Sequence, residues 1–140
     1  MYTYFLIAKP EGIAGLRTEN DVLTYIDRFP PRMQIGGPYS RERIDSLALI
    51  FLQEERTSLA TAEKLEDGSQ FFQIDSKLVK QVAVAGQDDL LDASVPWDER
   101  AWREIEVNRM DLAGFLLQLA ELCRTAIAGG KNVYFVMVEE

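Results

Sequence analysis

Residues 111–128, DLAGFLLQLAELCRTAIA, then Gly129-Gly130, then residues 132–138, NVYFVMV, decide the fold. At helical spacing Leu112, Phe115, Leu116, Leu119, Leu122, Cys123, Ala126 and Ile127 share one broad face, widened by Leu117 and Ala120. Asp111, Gly114, Gln118, Glu121 and Thr125 form the narrow polar stripe that remains. A helix with so little polar surface is covered on most sides, which places it across a sheet. Asp111 suits the N-cap, because its carboxylate can accept from unpaired N–H groups of the first turn. Arg124 falls near the negative end of the helix dipole, and Gly129 or Gly130 can take the left-handed conformation that closes a helix. The run 132–138 is apolar at odd and even positions alike, the mark of a strand buried on both faces and central in its sheet.

Working outward, Tyr2 to Lys9 reads as a second such strand, a natural partner for the last one, ended by Pro10-Glu11-Gly12. Thr18-Glu19-Asn20-Asp21 has the spacing of a capping box, with Asp21 in the reciprocal position. It opens a short helix through Val22, Leu23, Tyr25, Ile26 and Phe29, stopped by Pro30-Pro31. Arg32 to Ser40 reads as irregular, with a turn at Ile35-Gly36-Gly37-Pro38-Tyr39. Ser40 to Leu65 fits a helix broken near Thr57, although Leu47 to Leu52 also suits a buried strand. Asp67-Gly68 then stops that helix or, alternatively, turns a hairpin into a strand at Phe71 to Ile74. Asp75 or Ser76 caps a helix reaching Gly86, Asp88 to Val95 reads as loop, and Pro96 opens a short helix. The alternation from Trp102 to Val107 permits a strand. The expectation is an α+β fold in one domain, residues 1–140. Its small sheet has the N- and C-terminal strands central and is covered by helices including 111–128.

Composition bounds the function. The 140 residues carry a net charge of −8, and residues 65–140 hold 14 acidic and 7 basic side chains, so nearly all of the excess lies in the second half. Such a surface repels nucleic-acid phosphates and attracts basic partners. The apolar N-terminus lacks a basic leader region and is too short to span a bilayer, so a cytoplasmic, non-membrane protein is expected. One cysteine, Cys123, permits no intrachain disulfide and no thiolate zinc cage, and fits a reducing compartment.

The chain has no histidine. That excludes Ser-His-Asp and Cys-His catalytic sets and histidine metal sites. No nucleotide-binding glycine fingerprint is present, and nothing requires a metal or another cofactor. The distinctive stretch is Asp88 to Trp102, where Asp88, Asp89, Asp92, Asp98, Glu99, both tryptophans (Trp97 and Trp102) and a proline gather in 15 residues. Carboxylates there could steer a cationic protein, with an exposed tryptophan as anchor. The competing reading is a solvated acidic loop with both tryptophans in the core. Asp45-Ser46-Leu47, followed by Ala48 to Glu55, locally resembles the Asp-Ser-Leu site of acyl carrier proteins, which implies a phosphopantetheine arm on Ser46. Carrier proteins are all-helical bundles, whereas this chain begins and ends in strands.

The leading expectation is therefore a small acidic protein that binds and regulates a basic protein partner, an immunity-type inhibitor of a nuclease toxin being one instance. The alternatives are a small enzyme or ligand-binding domain using carboxylate and tyrosine chemistry, with Tyr39 beside Gly36-Gly37 as the nearest thing to a site, and a carrier modified at Ser46. A homo-oligomer with the tryptophans in its interface is a further reading. The missing catalytic sets weigh against an enzyme.

Overall fold

Seven-residue strands at the two ends of the chain pair with each other in the middle of one antiparallel sheet. The computed structural model describes residues 2–28, 32–36, 39–53, 59–60, 66, 68–103 and 107–138. Strands β1 (Tyr2–Ala8), β2 (Arg32–Gly36), β3 (Leu59–Ala60), β4 (Gln70–Ile74) and β5 (Asn132–Val138) lie in the order β2-β1-β5-β4-β3. β1 and β5 are in register from Tyr2↔Val138 to Ala8↔Asn132, and the α+β fold with central terminal strands stands as expected.

Strand residues alternate between two faces, and two cores result. Phe5, Ile7, Phe72, Ile74, Val133, Phe135 and Met137 pack on the side of α5 (Ser76–Val84), α6 (Gln87–Ala101) and α7 (Arg109–Ala128). Tyr4, Leu6, Ala8, Phe71, Tyr134 and Val136 pack on the other side against Val22 and Ile26 of α2 (Glu19–Arg28). Both faces of β5 are thus buried. The Thr18 hydroxyl accepts from the Asp21 N–H (3.3 Å) and Asp21 Oδ2 from the Thr18 N–H (3.2 Å), forming the capping box at the start of α2.

Nine side chains of α7 are buried, each apolar one of Leu or Phe size contributing roughly 1.5–3 kcal/mol against the sheet and its neighbours. The helix begins one turn earlier than expected. Asn108, rather than Asp111, is its N-cap, accepting from the Met110 N–H at 2.9 Å. Ile127, placed on the covered face by spacing, is instead 46% exposed in the last turn of the helix. Gly130 supplies the left-handed residue at φ +65°. Its N–H donates to Ile127 O and that of Lys131 to Ala126 O at 2.8 Å, satisfying two orphan carbonyls. The Arg124 guanidinium serves a different helix end. It donates to Ala83 O (2.9 Å) and Ala85 O (3.0 Å), closing the C-terminus of α5. Asp75 caps the start of α5 through the Lys77 N–H.

Pro10-Glu11-Gly12 follows the end of β1 as expected and forms a helical turn, α1 (Pro10–Ile13), proline being suited to a first turn. Three local expectations are corrected. Arg32–Gly36 is edge strand β2 rather than irregular loop, because pairing with β1 outweighs the weak local preference of this stretch. Ser40 to Leu52 forms two short helices, α3 (Arg41–Asp45) and α4 (Leu47–Leu52), and α4 ends at Gln53, which holds a left-handed φ of +56°. Leu59–Ala60 is strand, antiparallel to β4, rather than the continuation of a helix. Thr57, Asp67, Phe29 and the Pro30-Pro31 stop lie outside the described residues. No described helix is long and apolar enough to cross a membrane.

Candidate functional site

The stretch from Asp88 to Trp102 is helix, not loop. Gly86 precedes α6, and Asp89 Oδ2 accepts the Gly86 N–H at 3.2 Å, while Asp88 and Asp89 lie at the positive end of the helix dipole. Leu90, Ser94 and Trp97 form the buried row. Pro96 sits inside the helix and deprives the Asp92 carbonyl of its intrahelical donor, next to solvent-exposed positions. Helical geometry then sorts the seven residues singled out above into three groups.

Trp97 and Trp102 belong to the core, 0% and 2% exposed, and cannot anchor a partner from the surface. The Trp97 ring lies 5.5 Å from Trp102 and 5.6 Å from Phe115, and Tyr39 meets Trp102 edge-on at 5.0 Å. The Trp97 indole N–H donates to Arg43 O and to Ser46 Oγ, both at 3.0 Å, and the Arg43 guanidinium lies 4.6 Å above the Trp102 ring. Trp102 closes α6, and the strand permitted from there to Val107 falls partly on residues 104–106, outside the described ones. A second group is occupied within the fold. Asp89 caps α6, and Asp98 pairs with Arg109 at 3.1 Å. The third group is Asp88, Asp92 and Glu99, which are exposed and share one stripe with Val95, spanning about 16 Å at 1.5 Å per residue. No ion pair among the described residues engages these three carboxylates.

Beside that stripe runs an open groove between α4 and α6, of about 310 Å³, lined by Leu49, Ile50, Gln53, Pro96 and Arg100. Its apolar wall comes from two helices far apart in sequence, so no local pattern announced it. Asp92 lies one turn before Pro96 and Glu99 one turn after, which makes groove and stripe one continuous surface.

Tyr39 does not form an accessible site beside the glycine pair. It is buried under Trp97, Trp102 and Phe115, and burial, assisted by the charge of Asp111, raises its phenol pKa. Gly37 lies outside the described residues. Ser46 joins α3 to α4 as the N-cap residue of α4, and its hydroxyl is tied into the packing, donating to Arg43 O at 2.6 Å and accepting from Trp97. Among the described residues no three acidic or cysteine side chains converge in the manner of a metal cage. No family model, curated protein or solved structure matches this chain.

Proposed function

We propose that this protein binds a basic protein partner through the solvent face of α6 and regulates or neutralises it, as an immunity-type inhibitor neutralises a nuclease. The observation that carries this reading is the stripe of Asp88, Asp92 and Glu99, exposed and outside every ion pair among the described residues. Two neighbouring acids are consumed by the fold while these three are not. Fixed carboxylates on a rigid helix present a negative field without reorganising, which speeds encounter with a cationic surface and steers its orientation. Arg100 and Arg103 at the C-terminal end of the helix weaken that field there, so steering is strongest toward Asp88 and Asp92.

The test is affinity capture from the native lysate at low and high salt, followed by association kinetics with the captured partner. Asp88→Lys, Asp92→Lys and Glu99→Lys combined should slow association about tenfold or more at low salt and flatten its salt dependence. Asp89 and Asp98 are left intact so that helix capping and the Arg109 pair survive. An association rate indifferent to the triple reversal overturns the reading.

A further inference from the structure

Resting on that reading, we infer that the α4–α6 groove is the apolar half of the same docking surface, and that its occupant is a basic amphipathic segment of the partner. A large apolar side chain of that segment seats between Leu49, Ile50 and Pro96, while lysines or arginines beside it reach Asp92 and Glu99. Three observations converge. The groove has room for a Leu, Met or Phe side chain and an apolar wall, which buries what a polar helix face would not. The carboxylates on its flank, at positions 88, 92 and 99, keep to one face of α6 one and two turns apart and follow the groove, so one segment can touch both. Val95, 37% exposed, extends the apolar surface between the carboxylates. Among the described residues Arg100 is the one cation lining the groove, and it selects a segment with an acid or a backbone carbonyl beside it. Charge alone attracts any basic protein, whereas the groove would choose among them.

Two synthetic helical peptides of equal positive charge separate groove from stripe, one with a central Leu-Phe-Leu face and the other with serine at those positions. In amide-resolved NMR titrations the apolar peptide should bind at least tenfold more tightly and shift Leu49, Ile50 and Arg100 saturably. Leu49→Ser should erase that advantage while leaving the serine peptide unaffected. Leu49 is only half-buried, and an unchanged thermal midpoint shows that the variant folds. Ile50→Ser, an uncharged change at a second partly buried position of the groove, should likewise weaken the apolar peptide and leave the serine peptide unaffected. Equal affinity for both peptides, with shifts confined to Asp88, Asp92 and Glu99, overturns the groove and leaves the acidic docking surface standing. Binding of the apolar peptide that ignores the triple lysine reversal overturns the basic partner instead. Binding of neither peptide overturns both.

Discussion

Burial pushes the Cys123 thiol up to about 12 against the opposing charge of Arg124, so at neutral pH it is a protonated hydrophobe among Leu119, Leu122 and their neighbours. A thiol reagent such as DTNB should therefore leave the native protein unlabelled at pH 8 and label it once in denaturant. The same shift has a thermodynamic face. The folded thiol holds its proton where the unfolded one, at 9.0, releases it, so its contribution to stability is complete below pH 9 and is lost as pH climbs toward 12. Tyr39 and Tyr25, both raised from 10.0, act in the same direction over a higher range. The thermal midpoint should decline from pH 9 upward, and Cys123→Ala should soften the first part of that decline; a midpoint flat to pH 11 contradicts the burial of these groups. The apolar identity of Cys123 was readable from its place on a helical face. The depth of the tryptophans was not, because Trp97 and Trp102 flank exposed acids in sequence and only the contacts from Tyr39, Arg43 and Ser46 take them inside.

Among the elements, α5 depends for its last turn on a side chain from another helix. Arg124 forks two carbonyls that would otherwise face water, and the pair of bonds crosses about 40 positions of sequence. Arg124→Ala should cost about 1 kcal/mol, the value of charge-assisted bonds discounted for a side chain that is 44% exposed. Urea unfolding measures the loss, and amides near Ala85 should exchange faster. Lysine at this position should recover little, since an ammonium lacks the planar fork. α5 and α7 were legible because their apolar residues recur at 3.6 without interruption. α6 was misread because Asp88-Asp89 and Pro96 are turn-prone residues, and their local preference hid the row Leu90, Ser94, Trp97. β2 and β3 were hidden for the opposite reason: their residues have no strong local preference, and partner strands impose the extended form.

For the molecule as a whole, stability is graded across the sheet. β1 and β5 are paired along their full length and covered on both faces, while β2 and β3 are edges. Native-state hydrogen exchange should find the slowest amides in β1 and β5, near the global unfolding limit, and the fastest strand amides in Leu59–Ala60. Comparable protection in all five strands contradicts this gradient. The central pair was legible from two apolar runs at opposite ends of the sequence. The groove was not, because Leu49, Ile50, Pro96 and Arg100 become neighbours only after α4 meets α6. The pairing of Tyr2 with Val138 also orders events in time. As the ribosome makes this stretch, β1 emerges first and must wait, one long edge bare, for more than a hundred residues until β5 follows. Even with β2 in place on its other side, the nascent chain thus displays an apolar strand with one edge unpaired until the end of that wait, the kind of surface that chaperones cover.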